Sequence, residues 1–318
     1  MSRYALCLAL PLAACPAPGD PLPNTGGGHL TWTYQDEVFR AAAEEGAEIE
    51  NVSELLGPAP RDRLLTPSPN GAWMVMSSER FDCSGECLVR VSWDLSEGEA
   101  VKAGGADVYV NGISAITDDG NTIVFSSSGG THDVDLWATT RGEDGAWSAP
   151  LELTAGSSYA YNNMPALTQD GAGVTFDCGS EPYPESGGND ACSVNLDGSG
   201  WTRLIGPDAL ADARNSYVQN PHEGPAGLLF ESSWPIDGQN PETIWLLPTG
   251  EGTPVPFGSR YENAVSPCGL PDGRVAMLWL GGNDDGYHEL VVSEADGSAS
   301  FAITPGVDVD DIGIGCSE

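Results

Sequence analysis

Between residues 61 and 306 one scheme of apolar and polar positions returns five times. A short apolar step leads into a polar turn, an apolar run of about five residues follows, and a variable polar stretch separates it from a further apolar run. The copies are "DRLLTPSPNGAWMVMSSER" (62–80), "NGISAITDDGNTIVFSSSGG" (111–130), "NNMPALTQDGAGVTFDCGS" (162–180), "NSYVQNPHEGPAGLLFESS" (215–233) and "NAVSPCGLPDGRVAMLWLGG" (263–282). Aligned on Gly71, Gly120, Gly171, Gly224 and Gly273, they repeat about every fifty residues, the period of propeller blades. The runs after the turns ("WMVMS", "TIVFS", "GVTFD", "LLFES", "VAMLW") read as alternating strands. "DLWATT", "ACSVNL", "TIWLLP" and "ELVVSE" supply third strands, and Gly-containing turns lead to fourth ones, as in "EDGAWSAPLELT". A four-stranded antiparallel unit that cannot bury both faces alone is the building block of a propeller.

The ends set the blade count. "HLTWTYQDEVFRAAAEEGAEIENVSELL", with Gly46 at a turn, matches the outer three strands of a blade, and "VDVDDIGIGCSE" matches an innermost strand. Together they predict a sixth blade made from both termini, which closes the ring and removes exposed sheet edges. The expected fold is therefore all-β: a six-bladed β-propeller over residues 29–318, closed by N- and C-terminal strands. One stretch disagrees locally, because "DEVFRAAAEEGAEIENVSELL" is rich in helix formers; the repeat overrides that preference.

The stretch "TDDGNTIVFSSSGGTHDVDLWATTR" (117–141), and more loosely "PDGRVAMLWL", resembles the repeat of TolB-type, WD40-like propellers. That repeat has a Ser-Pro-Asp-Gly turn, an apolar-x-Phe-x-Ser strand and a further strand before another Asp-Gly. Here the Ser-Pro is mostly lost. The resemblance implies the propeller fold, and it does not carry membership of the Tol system.

Charge narrows the partners. With 12 basic against 47 acidic residues and a formal charge of −35, the chain would repel a phosphate backbone, so nucleic acid is excluded as an expected partner. Such acidity favours solubility. The start, "MSRYALCLALPLAAC", has the anatomy of a signal peptide, and Leu-Ala-Ala-Cys resembles the lipobox of bacterial lipoproteins. Residues 1–14 are then a removed signal, Cys15 is acylated, and the Pro/Gly-rich residues 15–28 form a tether. The expected location is the cell envelope through a lipid anchor, with Pro16 favouring the outer membrane by the same resemblance.

Setting Cys7 and Cys15 aside leaves six cysteines, an even number that reads as disulfides in an exported chain. Fifteen connectivities are possible, and the repeat narrows them. Cys83 and Cys87 flank "CSGEC", Cys178 and Cys192 close one long hairpin, and Cys268 and Cys316 stand at matching points of consecutive repeats. Zinc is disfavoured, since the four histidines have no ligand spacing and C-x-x-C is absent.

Catalytic signatures are sparse. There is no Gly-x-Ser-x-Gly elbow. The Asp-Gly turns lack the intervening residue of a sialidase Asp-box. One recurrence stands out: an Asx precedes each turn glycine by nine or ten residues, at Asp62, Asn111, Asn162, Asn215 and Asn263, with Asp311 sixth when Cys316 is aligned on Cys268. Facing the channel, this ring would suit a cation, calcium being the natural choice, with no cofactor otherwise required. Alternatively each Asx bonds the local backbone where a loop enters a strand. The same two readings apply to "GGNDDGYHE" (281–289). Tyr159, Tyr161, Tyr217 and Tyr261 would add stacking surface at the mouth or pack between blades. Two function classes follow. The first is a non-catalytic envelope lipoprotein whose propeller binds a protein, peptide or glycan. The alternative is a carbohydrate-active or other hydrolytic propeller, which would need paired carboxylates; amides at the ring positions transfer no protons near neutrality.

Overall fold

The computed structural model describes residues 27–58, 61–180, 188–209, 216–233, 242–258, 263–280, 288–305, 309–310 and 313–317. It contains six four-stranded antiparallel sheets arranged as the blades of a propeller. Blades 2 to 6 each use four consecutive strands, beginning at Asp62, Ser114, Tyr161, Gln219 and Ala264. Blade 1 is composite. Its strands His29–Tyr34, Glu37–Ala42 and Glu50–Asn51 come from the N-terminal side, and Gly315–Ser317 completes it at the inner edge. The expected closure is thus present, held among the described residues by three residue pairs: His29 with Ser317, Leu30 with Cys316 and Thr31 with Gly315.

Local helix preference in residues 36–56 yields to pairing. Gln35 and Asp36 take left-handed φ of 52° and 66°, the geometry of a two-residue hairpin turn, and this sets Tyr34 opposite Glu37. Val38 and Ala41 are then buried. What remains helical is Val52–Leu55, capped by the Asn51 side chain, which accepts the Glu54 N–H at 3.0 Å.

The second strand of each blade departs from simple alternation. Trp73–Ser78 and Gly173–Gly179 are buried at every position, because a strand inside a sheet that is itself sandwiched between neighbouring blades has no wet face. Equivalent points on these strands carry Trp32, Met76, Phe125, Phe176, Phe230 and Met277, none more than 3% exposed. One large side chain per blade fills each inter-blade seam; burying such a group contributes about 2 kcal/mol or more. Between blades 2 and 3 lies a small hairpin, Lys102–Ala103 with Ala106–Asp107, that the repeat did not foretell.

All three expected disulfides are present, with Cα separations of 5.9 Å (Cys83–Cys87), 6.0 Å (Cys178–Cys192) and 6.1 Å (Cys268–Cys316). The last joins inner strands of neighbouring blades, within the ~7 Å reach of a disulfide. Its partners are one step out of register: Cys268 pairs with Ala276, whereas Cys316 pairs with Leu30, next to the equivalent pair Gly315 and Thr31.

Candidate functional site: the two mouths of the channel

The inner strands carry a repeated irregularity that divides the axial channel. Leu64, Met164, Asn220 and Ser266 have φ of 60°, 54°, 50° and 51°, each inside a register shift of its strand. Gly313 occupies the corresponding place in blade 1 with φ of 105°. These are β-bulges, and each turns the strand so that residues before and after it face different ends of the channel. Bulge N–H groups need acceptors. Thr33 Oγ1 takes that of Leu64 at 3.0 Å, Asp177 Oδ1 that of Asn220 at 2.7 Å, and Glu231 Oε2 that of Ser266 at 2.8 Å. In each case the acceptor sits on the second strand of the preceding blade, so the bulges also tie blade to blade.

Before the bulges the channel opens into a polar cavity of about 440 Å³, to which all six blades contribute. Arg63, Asn163, Asp177, Asn220, Glu231 and Glu242 are among its walls. Burial, aided by repulsion from Glu231, holds the Asp177 carboxyl well above the usual carboxylate range; the Asn220 N–H pulls the other way more weakly. Glu231 also accepts from Asn220 Nδ2 at 2.9 Å, and Tyr217 donates its hydroxyl to Glu242. Asn189 lines the same cavity, 4% exposed, with its Oδ1 buried and unpaired.

After the bulges lies a second cavity of about 380 Å³ with a different character. Pro67, Ile116, Pro165, Leu167, Leu270 and Ile314 dominate its walls, and the Cys268–Cys316 disulfide and His222 form part of its surface. Surroundings of this kind disfavour the imidazolium, so burial pushes His222 down to about 4, against a smaller upward pull from the Glu223 backbone. The Gly269 N–H donates to His222 Nδ1 at 3.2 Å, which places the ring proton on Nε2, 3.4 Å from Cys268 Sγ. Although His222, Cys268 and Cys316 cluster tightly, the sulfurs are bonded to each other and Nε2 has no free lone pair, so this is no metal centre.

The predicted Asx positions fall into different settings. Asp62 is 1% exposed; it takes a bidentate contact from Arg80, the shortest branch at 2.7 Å, and the Ser78 hydroxyl at 2.6 Å. Asn162 is fully buried, accepts from Ser157 Oγ at 2.9 Å and donates to the carbonyls of Val134 and Tyr159. Asn111 is exposed and lines the polar cavity, and Asn263 is exposed with its backbone N–H on Glu242. Asn215 and Asp311 lie outside the described residues, as do Cys15, Tyr261 and residues 281–287 of the acidic hairpin. Counting from the turns fails in blades 5 and 6 because their first hairpins are shorter. Leu167 opposes Val174 and Pro67 opposes Met74, but Gly224 opposes Gly227, ending its strand instead of forming the turn. The position equivalent to Asp62 and Asn162 is then Val218 in blade 5 and Ala264 in blade 6, both fully buried.

The tyrosines divide likewise. Tyr159 donates to Asp190, its hydroxyl pushed up to about 12 by burial and by that carboxylate, while Tyr161 lines the polar cavity. Asp177 and Glu231 were missed in the sequence because they occur inside strands that read as core. The available signal was an acid in a strand, "GVTFD" and "LLFES", where the other blades carry Thr33, Ser77, Ser126 and Leu278.

A second group, His132, Asp135 and Glu152, lies in blade 3. There His132 Nδ1 faces Asp135 at 2.8 Å and Nε2 faces the Ser157 carbonyl at 3.1 Å, and Thr154 donates to Asp135 at 2.7 Å. Each ring nitrogen lies within hydrogen-bond reach of an oxygen, an arrangement that stitches loops together.

No protein-family model and no curated protein matches the chain. Solved structures do. TolB from Acinetobacter baumannii superposes with a TM-score of 0.62 at 11% identity over 91% of this chain, which spans 66% of that one, about two thirds. A putative TolB from Agrobacterium tumefaciens gives 0.59 at 15% identity, covering 86% of this chain and 87% of that one. An oligogalacturonate lyase in complex with manganese gives 0.52 at 13% identity, covering 87% and 78%. At such identities the likeness establishes a TolB-like propeller fold and nothing finer.

Proposed function

We infer that this chain is a non-catalytic binding propeller that holds a segment of a protein, a peptide or a glycan at the polar mouth of its channel. The observation that carries this reading is how the carboxylates of that mouth are used. Asp177 and Glu231 point at backbone N–H groups of the next blade, where they fix the bulges, and Glu242 takes the Tyr217 hydroxyl. Acids committed in this way shape a polar cavity without being free to shuttle protons. The likeness to TolB proteins supports protein binding as the role. The remaining elements of the proposal come from the sequence: Cys15 is lipidated, residues 1–14 are removed, and the propeller is displayed from the envelope on residues 15–28. Among the described residues no helix is long and apolar enough to cross a membrane. The reading requires no cofactor; calcium is the ion to try first, at exposed Asn111 and its neighbours.

A second reading has one specific support. Burial beside Glu231 raises the proton affinity of the Asp177 carboxyl, and two carboxyls with unequal proton affinities are what glycoside hydrolysis uses. An oligogalacturonate lyase is among the structural neighbours. One experiment separates the two. The purified chain is incubated with peptide and oligosaccharide arrays, in parallel with Asn163→Trp, which fills the polar cavity. Saturable capture without product, abolished by Asn163→Trp, is expected. Turnover of an oligosaccharide that disappears in both Asp177→Asn and Glu231→Gln would install the enzymatic reading instead. Mass spectrometry of the membrane fraction tests the anchor, since an unmodified Cys15 there ends that part of the proposal.

A further inference from the structure

The apolar mouth contains a reactive grouping that the binding role does not use. Cys268 and Cys316 form a disulfide in the wall of an open cavity; Cys268 is 1% exposed, whereas Cys316 is half-buried. Neither of the other two disulfides combines an accessible sulfur with a histidine. Cys178–Cys192 is fully buried, and Cys83–Cys87 is partly exposed with no histidine among its contacts. Beside Cys268–Cys316 stands His222, whose orientation is fixed by the Gly269 N–H on Nδ1, so that Nε2–H is directed at Cys268 Sγ.

We propose that Cys268–Cys316 is a thiol–disulfide exchange site, entered through the apolar cavity by a thiol-bearing compound or a cysteine-containing apolar segment. The roles of the two sulfurs follow from exposure and from the histidine. An incoming thiolate attacks Cys316 Sγ, the accessible sulfur, and forms a new sulfur–sulfur bond there. The Cys268–Cys316 bond breaks, and its electron pair leaves on Cys268 Sγ. Nε2–H of His222 donates a hydrogen bond to that thiolate, and a solvent proton completes the Cys268 thiol. A second thiolate then attacks the external sulfur of the mixed disulfide and releases Cys316 as a thiolate, so that two thiols have become one disulfide and the protein has gained two electrons. Exchange rates rise when the leaving thiolate is stabilised, and a hydrogen bond to a charged group is the means provided here. His222 is the catalytic residue of this exchange because it touches a reacting sulfur.

Structural consequences follow from what the bond ties down. Gly315–Ser317 is joined to blade 1 through three residue pairs and to blade 6 through this disulfide. Exchange therefore frees the strand that closes the ring from its neighbouring blade, at the very wall of the cavity the thiol has entered.

The test uses the full oxidised chain and glutathione as probe, with timed alkylation and peptide mapping of all three pairs. In the wild type the glutathione adduct is expected on Cys316, with Cys268 alkylated, and this pair should open well ahead of Cys178–Cys192. His222→Leu should slow it roughly tenfold, the scale of one charge-assisted hydrogen bond, while His222→Gln, which keeps an N–H donor, should stay within about threefold of wild type. Opening of Cys83–Cys87 should be equal in all three proteins, which controls for loss of fold. Adducts on Cys268, or a wild-type pair no faster than Cys178–Cys192, would overturn the proposal even if His222→Leu fails to fold. Equal rates in a folded His222→Leu protein would do so as well.

Discussion

The two mouths of the channel are built from the same six strands, yet they share almost no chemistry. Ahead of and at the bulges the inner strands present Arg63, Asn163, Gln219, Asn220 and Ser266; behind them the same strands present Pro67, Pro165, Leu167, Cys268 and Ile314. In a regular strand, side chains alternate between faces all along its length. A single left-handed residue interrupts that alternation, and its repetition in five blades turns a local kink into a division of the whole axis. The contrast also extends to how each mouth is held: charge and hydrogen bonds secure the polar one, and a covalent bond secures the apolar one.

The largest effects should come from removing those anchors. Arg80→Met leaves Asp62, 2% exposed at its side chain, as a buried charge without its partner, and is expected to cost about 3–5 kcal/mol in urea unfolding. The pair of exposed Arg61 and half-buried Glu86 provides the contrast: Arg61→Met should cost below about 1 kcal/mol. At the apolar mouth, Cys268→Ser with Cys316→Ser opens a loop of 48 residues and should lower stability by up to about 4 kcal/mol. If the double cysteine variant is as stable as wild type under oxidising conditions, the covalent half of the contrast is void.

How far the sequence foretold each mouth differs for a physical reason. Blade number, strand order and disulfide pairing depend on the period, and a period survives the loss of any one residue. Side-chain placement on the axis depends on register, where one residue inserted or removed changes which face a group occupies. Counting back from Gly224 points to Asn215, but the blade 5 hairpin is short and the equivalent position is Val218. No residue type announces the bulges either: Leu64, Met164 and Ser266 are unremarkable in sequence, and only Gly313 and Asn220 are residues that favour such a conformation.

A smaller effect is expected at the bulges themselves. Ser266 is 5% exposed and held at φ of 51°, so Ser266→Gly removes the left-handed penalty while keeping the N–H that Glu231 accepts. Thermal unfolding should show a gain of about 1 kcal/mol. The reverse change in blade 1, Gly313→Ala, should cost a similar amount, since φ there is 105° and an added Cβ would lie 3.3 Å from Ile113. Gains or losses of opposite sign at these two positions would mean that the bulges are not what sets the division.

The smallest shift, and the one most specific to the polar mouth, concerns Asp177. Its carboxyl is buried beside Glu231 and titrates well above the ordinary value of 3.8. The folded chain therefore keeps this proton over a range in which the unfolded chain has lost it, and stability falls wherever the folded state binds more protons and the pH is raised. The contribution is full below about pH 3.8, declines as the pH rises from there toward the raised folded-state value, and stays lost above it. In Asp177→Asn the amide oxygen still accepts the Asn220 N–H but carries no charge. The variant should match wild type near pH 3.5 and melt on the order of 2 °C higher at pH 8, with the difference opening between those limits. Gly313→Ala offers the control: its profile should run parallel to wild type, because the groups an added Cβ would meet, Ile113 and Met164, do not titrate. A variant at Asp177 whose profile also runs parallel would show that its carboxylate is compensated at neutral pH, and that the polar mouth tolerates charge as readily as its surroundings in water.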